Sequence, residues 1–386
     1  MRYIIRMKNV TGIIAELNPL HNGHEALISS AVSKSEACIV ILSSNFTQRG
    51  SPAITGKFTR AAMAVNAGAD LVIELPFLFA CSAGQDFARG AVGLLARTHI
   101  ADRITFGMEN PEYPFSTLLD ALDSPEYSRA LRQELGRGAS YPKASALALE
   151  CILPGSSEFI SKPNNMLAVS YMREIRKNHY GLEVMPVKRD GAVSSRIIRE
   201  DMRANLGMIP QYSRELLLCA ECEGRLCDDG RLWPLLQGVF IRNSAEDLRK
   251  VYGIDEGIEG LMLRHWRDSK GLDDFIGRCV CARYTRAHIR RRLIYILLGL
   301  DRWEVSGALR AGVPYARVLA FNAKGRKLLR ECADRSEVKV ITRLADAEGR
   351  TGKYFAGVEF RASQLYELLM NNSDMNRETH RVLQFP

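Results

Sequence analysis

The chain has 386 residues, more than a single-domain protein usually carries, and 46% of them are hydrophobic while 25% are charged, the proportions of an ordinary globular protein. No apolar run approaches the ~18 residues a membrane-spanning helix needs. Residues 1–8 are basic but lead to Glu16 and Asn18 and not to a small-residue cleavage site, so a secretory signal is excluded and a cytoplasmic address is expected. The nine cysteines are an odd number and are expected to be reduced thiols. Cys219, Cys222 and Cys227 lack a second pair or a histidine at finger spacing, so they point to a partly buried face and not to zinc. The formal net charge of +9 suits a polyanionic partner, because Lys and Arg release counterions from phosphate.

In chain order, residues 10–15 (VTGIIA) read as a strand, Asn18-Pro19 as a turn and HEALISSAVSK as a helix. A second apolar run (37–42, ACIVIL) is followed by a polar loop (43–52), the helical KFTRAAMAVNAG and a third run (71–75, LVIEL). The helical FARGAVGLLART, a strand at 103–106, a helix near 164–177, a strand at 182–187 and a helix over 195–206 complete this half. Strands alternating with helices of this length imply a parallel sheet with crossover helices, whose ligands collect at the strands' carboxyl ends. After residue 211 long Leu- and Arg-rich helical patterns take over, including 235–252 and 285–300, with one strand at 338–342. The expected organisation is therefore a Rossmann-like α/β domain over 1–210 and a mainly α-helical domain over 211–386.

His21-Asn22-Gly23-His24 follows the first strand and opens a helix. A helix N-terminus offers unpaired N–H groups and partial positive charge to phosphate, and two imidazoles flanking a glycine can stabilise charge as pyrophosphate leaves. The alternative is a surface loop with two solvated histidines. Ser195 and Arg199, in VSSRIIR, can bind β- and γ-phosphates or form an ordinary capped helix. Thr55-Gly56-Lys57-Phe58 is a poor P-loop, with Gly50 misplaced and Phe58 where Ser or Thr should hold magnesium. Asp70 and Glu74 flank or lie in the third apolar run, and neither is assigned to the site. Arg283, Arg286, Arg290, Arg291 and Arg292 share a helical pattern able to span phosphates or to cover apolar surface with their stems. Lys324, Arg326 and Lys327 make a second basic patch.

Beyond these motifs the chain resembles the bacterial tRNA(Met) cytidine acetate ligase family. The likeness is carried by residues 12–27 (GIIAELNPLHNGHEAL), 44–54 (SNFTQRGSPAI), 57–76, 106–109 (FGME), 162–167 (KPNNML), 187–192 (VKRDGA) and 283–300 (RYTRAHIRRRLIYILLGL). The resemblance implies that acetate and ATP, with Mg2+, give acetyl-adenylate and pyrophosphate, and that the acetyl group passes to N4 of the wobble cytidine of elongator tRNA(Met). It places ATP contacts at Ile14, Ala15, Glu16, Leu17, Asn18, Pro19, Leu20, His21, Asn22, Gly23, His24, Glu25, Ala26 and Leu27, and at Gly107, Asn164 (or the adjacent Asn165) and Arg189. His21 and His24 would be catalytic. The family usually has aromatic residues where Leu17 and Leu20 stand. From the residues alone Gly107 is also readable as a turn glycine and Asn164 as a helix cap. A transferase of the same class acting on a small molecule, and a non-catalytic RNA-binding protein of the same fold, are the alternatives.

Overall fold

The computed structural model describes residues 7–189, 194–379 and 382–386. Its first five strands are β1 (Val10–Ala15), β2 (Ala37–Ser43), β3 (Leu71–Leu75), β4 (Arg103–Met108) and β5 (Glu183–Lys188). They lie in the order β5-β4-β1-β2-β3 with every pairing parallel. β2 and β3 are buried at every position, the condition that parallel strands covered on both faces impose and the reason these runs are apolar throughout. The helices Asn22–Ser33, Lys57–Asn66, Gly84–Arg97 and Pro163–Lys177 connect or cover them. Because β2 and β3 extend to one side of β1 while β4 and β5 extend to the other, the strand order reverses beside β1. The crevice at its carboxyl end is therefore the natural ligand position.

The expected helix over 195–206 stops earlier, at Ser195–Glu200. There the Asn205 amide donates to the carbonyls of Ile197 and Asp201, and the Asp201 carboxylate accepts from the Ala204 N–H, so side chains take over the backbone pairing and turn the chain.

The larger correction concerns the second half. Three strands, β6 (Tyr315–Phe321), β7 (Lys339–Ile341) and β8 (Leu383–Gln384), join the same sheet: β6 runs antiparallel to β3, and β7 and β8 run parallel to β6. The sheet thus takes strands from both sides of residue 210, and β7 coincides with the single strand expected at 338–342. β6 escapes a reading by apolar runs because Arg317 interrupts it. In the sheet Arg317 stands opposite Glu74 of β3, and both are wholly buried, so the two polar side chains of adjacent strands are each other's partners.

Around that pair sits a buried ionic cluster. Arg317 Nη1 lies 3.0 Å from Glu74 Oε2 and also meets Glu378. Lys57 Nζ lies 2.8 Å from Glu359 Oε1 and contacts Glu74 and Glu378. Glu359 belongs to the long helix Gly349–Glu367, and its second oxygen accepts the Phe77 N–H at 2.7 Å. Burial, with Glu359 beside it, pushes Glu74 up to about 8, while Lys57 and Arg317 hold Glu378 down at about 2 against the opposing effect of its burial. With Glu74 protonated, the charges of the remaining four groups cancel, which is what an interior of low polarity requires. Glu74, Glu359 and Glu378 form the one carboxylate trio close enough to share a cation among the described residues, and Lys57 fills that role. The same contacts remove Lys57 from any P-loop function.

Two substitutions test this assignment by thermal or chemical denaturation at pH 7. Glu74→Gln, which mimics the protonated acid, is expected to cost less than about 1 kcal/mol, whereas Lys57→Met strands the carboxylates and is expected to cost about 3–5 kcal/mol. Equal losses for both would refute the protonation of Glu74.

Candidate active site

After β1 the chain turns sharply. Leu17 has φ 49° and the Asn18–Pro19 peptide is cis, while Leu17 and Leu20 are buried and anchor the turn. Asn18 fixes its far side: its side-chain oxygen accepts the Ile54 N–H at 2.7 Å, and its carbonyl accepts from Arg199 Nη1 at 2.6 Å. The turn delivers His21 as the N-cap of the helix Asn22–Ser33 in an extended conformation.

The two histidines occupy that cap in a reciprocal arrangement. His21 Nδ1 accepts the Gly23 N–H at 3.2 Å, and His24 Nδ1 accepts the His21 N–H at 3.4 Å. The rings stack with centroids 3.8 Å apart and an interplanar angle of 25°. Since each Nδ1 receives a backbone proton, each neutral ring carries its own proton on Nε2 and keeps that N–H as a donor. Gly23 permits the stack, because a Cβ there would lie 3.1 Å from the His21 ring. Burial, then the nearby Arg189, lowers His21 to about 4; burial, then His21 itself and Arg189, lower His24 well below its ordinary value. The free protein therefore presents two neutral Nε2–H donors at a helix mouth, an arrangement that can receive an anion.

The other expected contacts converge from the neighbouring strands. Gly107 lies within β4, opposite Val187 of β5, and is not among the glycines with positive φ, so it is not a turn glycine. A Cβ on it would come 4.0 Å from Arg189 Cβ, and its absence keeps the edge between β4 and β5 open. Arg189 continues β5 through its N–H to the Met108 carbonyl at 2.9 Å. Asn165 is fully buried and its side chain is consumed: Oδ1 accepts the N–H groups of Glu109 and Asn110, and Nδ2 donates to Asn110 and to the Phe159 carbonyl. Asn164 is half-buried and holds Glu109 through Nδ2 at 2.6 Å, which leaves its oxygen as the acceptor for a ligand. It is not the helix cap, a position held by Lys162. Ser195 opens the helix Ser195–Glu200, and Arg199 in it secures Asn18. Asp190, Gly191, Ala192 and Val193, the linking part of the VKRDGA and VSSR motifs, lie outside the described residues.

Sequence reasoning missed Arg60. It is wholly buried and donates to the carbonyls of Glu16 (2.6 Å), Ser43 (3.1 Å), Ser44 (2.7 Å) and Thr55 (3.1 Å), joining the carboxyl ends of β1 and β2. The available signal was its place beside Ala61 and Ala64 on the buried side of an amphipathic helix.

The basic helix Arg286–Leu298 is mostly spent on internal contacts. Arg283 pairs with Glu256 and Arg286 with Asp273, both at the surface. Arg290 reaches Asp229 and Ser51, Arg292 donates to the Gly253 carbonyl and lies over Tyr295, and Arg291 is only 7% exposed. Lys324 and Arg326 lie elsewhere. Lys324 donates to the Glu36 carbonyl before β2, Arg326 contacts Gln384, and Asn322 before them binds Asp70 before β3. They and Lys327 therefore flank the amino ends of the strands, at the opposite end of the sheet from His21. Asp70 itself accepts the Cys38 N–H and is a structural strand-start residue. Cys219 and Cys222 are exposed and Cys227 half-buried, all as free thiols.

The chain matches the family described as HIGH Nucleotidyl Transferase over residues 7–381. It is 29% identical to the tRNA(Met) cytidine acetate ligase of Clostridium perfringens, over 96% of this chain and 98% of the relative. Against the enzyme of the same name from Caldanaerobacter subterraneus it is 32% identical, over 88% and 90%. Crystal structures of Thermotoga maritima TmcAL, bound with alpha-thio ATP and in the apo form, are 26% identical. They align with TM-scores of 0.89 and 0.90, covering 97% of this chain and 99% of theirs. No described helix is long and apolar enough to cross a membrane.

Two outcomes follow from the paired imidazoles. His21→Asn and His24→Asn are each expected to slow ATP-dependent pyrophosphate release by about 10²- to 10³-fold with the melting temperature little changed. Because folding depresses these histidines, stability is whole above pH 6.5, the ordinary value, and is lost as pH falls towards 4, where the unfolded chain takes up protons the folded pair refuses. For His21 this amounts to at most roughly 3 kcal/mol, read as the pH-dependent difference between the parent protein and the double asparagine variant. A difference independent of pH would contradict the neutral assignment.

Proposed function

We propose, from the premise that this chain belongs to the HIGH Nucleotidyl Transferase family, that it is a tRNA(Met) cytidine acetate ligase, the activity its curated relatives are named for. The observation that carries the reading is the pair of neutral, Nε2-donating histidines at a helix mouth on the sheet's switch point.

Adenylation needs no protein nucleophile. An acetate oxygen attacks the α-phosphorus, the bond to the β-phosphate breaks, and pyrophosphate leaves with the electron pair. The work left to the protein is positioning and neutralisation. His21 and His24 donate to the phosphates, and the Asn22–Ser33 helix mouth adds its N–H groups. Arg189 contributes charge beside both rings. Gly107 leaves room for the nucleoside and Asn164 offers it an acceptor. Ser195 and Arg199 lie beyond the turn for the outer phosphates. Mg2+ would arrive chelated by the triphosphate. A protein carboxylate at that edge is Glu16, one of whose oxygens is already engaged by the Gln48 N–H at 2.8 Å, leaving the other to meet the ion or one of its waters. In the second step the N4 amine of the cytidine attacks the acetyl carbonyl, AMP leaves, and the amine gives up a proton.

We assign RNA engagement to the part of the chain after residue 210. Of the basic residues there, Arg283 and Arg286 hold exposed acids that phosphate can displace, since surface ion pairs are worth under about 1 kcal/mol. Arg290 abuts the loop after β2 and is next in line along the same helix. Lys324 and Arg326 would serve RNA remote from the reacting base.

The test is incubation with ATP, labelled acetate and elongator tRNA(Met), followed by nuclease digestion. Acetylated cytidine is expected, together with acetate-dependent pyrophosphate release that proceeds without RNA. An Arg283→Ala, Arg286→Ala variant is expected to weaken tRNA capture by about tenfold while leaving adenylation intact. Pyrophosphate release that ignores acetate but responds to another small substrate would instead indicate a different transferase of the class. tRNA binding indifferent to loss of both histidines, without any turnover, would indicate a non-catalytic protein.

A further inference from the structure

Two buried cations near the site have no carboxylate partner among the described residues: Arg60, whose guanidinium is met by four backbone carbonyls, and Arg291, whose guanidinium is not so filled. Arg291, 7% exposed, donates through Nη1 to the Gln48 carbonyl at 2.9 Å, and its Nε has no hydrogen-bond partner. Among the described residues no carboxylate lies within ion-pair distance of it, because Asp86, whose charge it feels, is paired with Arg89. Buried charges without partners are costly and rare. The neighbouring arginines of the same helix show the ordinary solution, Arg290 on Asp229 and Arg286 on Asp273.

The surroundings of Arg291 are built. Gly50, at φ 75°, rests on the backbone of Arg290 and Arg291 so closely that a Cβ would overlap it, which clamps the loop after β2 to this helix. The clamped loop places the Gln48 side-chain amide over Gly84, 3.9 Å from where a Cβ would be. Gly84 begins the 14-residue helix Gly84–Arg97, whose N-terminus has no side-chain cap and whose first-turn carboxylate, Asp86, is paired with Arg89, so its first N–H groups remain to receive an anion. Tyr295, one turn along from Arg291, ties Cys81 just upstream of that helix. On its other side Gln48 donates its backbone N–H to Glu16, the residue that follows β1 and opens the turn to His21. An unpaired guanidinium, a side-chain amide and an uncapped helix mouth thus gather beside the triphosphate edge, on the β2–β3 side of it.

We infer that Arg291, Gln48 and the amino end of the Gly84–Arg97 helix form the subsite for the small carboxylate that attacks ATP. The inference rests on the acetate-ligase reading and names the position of its acyl substrate. A carboxylate there supplies the charge Arg291 lacks, and a guanidinium is the side chain best matched to hold it with a defined orientation. Arg291 is thereby a substrate-binding residue and not part of the tRNA surface.

The test is acetate-dependent exchange of pyrophosphate into ATP by the full chain without RNA, combined with direct acetate binding followed by NMR saturation transfer in the presence of a non-hydrolysable ATP analogue. Arg291→Gln is expected to raise the KM for acetate at least tenfold and to abolish the acetate saturation signal, with the KM for ATP changed less than twofold. Arg291→Lys should fall between, and Gln48→Glu, which adds a repelling charge but no cavity, should move the acetate KM the same way. If Arg291→Gln melts early, the latter two variants carry the test. An unchanged acetate KM in both, or a parallel rise in the KM for ATP, overturns the subsite. A parent protein that binds acetate but exchanges no pyrophosphate upholds the subsite and sinks the ligase reading. One that binds no acetate with the analogue sinks the subsite.

Discussion

The structure depends on a charge cluster that has no access to water. Lys57, Glu74, Arg317, Glu359 and Glu378 come from a crossover helix, an inner strand, an added strand, the long C-terminal helix and the tail. Each of these groups alone would be expelled by the interior, so they are tolerated only when the first part of the chain and the last are assembled on each other. Hydrophobic contact between β3 and β6 would bring the two regions together without choosing a register. The contacts of Arg317 choose it, since a slip of one residue would turn its guanidinium away from Glu74 and Glu378 and leave a buried charge without acceptors.

The same cluster reaches the site through short links. Ser44 donates its hydroxyl to Glu359 at 2.6 Å, and Asn45 accepts the Lys57 N–H at 2.9 Å while donating to Ser363 at 2.8 Å. These residues begin the loop after β2, the loop that contacts Glu16 and rests on Arg290 and Arg291. Arg60, one turn along from Lys57, holds the carbonyls at the ends of β1 and β2. The position of the edge at the carboxyl ends of β1 and β2 is thus set by buried ionic groups on one side and by the self-capping histidine pair on the other. Neither side relies on an exposed loop to hold its geometry.

The arginines divide by burial. Arg60, Arg291 and Arg317 are buried within the fold, Arg189 and Arg199 border the turn after β1 and its histidines, and Arg283 and Arg286 remain outside in ion pairs that cost little to exchange. A net charge of +9 therefore overstates the positive surface open to RNA, because part of it is consumed in holding backbone carbonyls and buried acids.

The sequence by itself determined the parallel half of the sheet and its site: continuous apolar strands alternating with helices, and two histidines spaced to cap a helix directly after the first strand, are local patterns with local causes. Gly107 and Arg189 entered only through the family likeness, and only the structure shows that the Asn165 side chain is used up by its neighbours while the Asn164 oxygen is not. Tertiary structure alone decided that β6 to β8 complete the sheet, that the arginine-rich helix faces inward at Arg291, and that Lys324 and Arg326 sit at the far end of the strands. The first of these turns on groups paired across hundreds of residues, Glu74 with Arg317, and the others on contacts made to distant backbone and amide groups. Periodicity reports which face of an element is apolar, but it carries no information about which distant partner makes a charge on that face affordable.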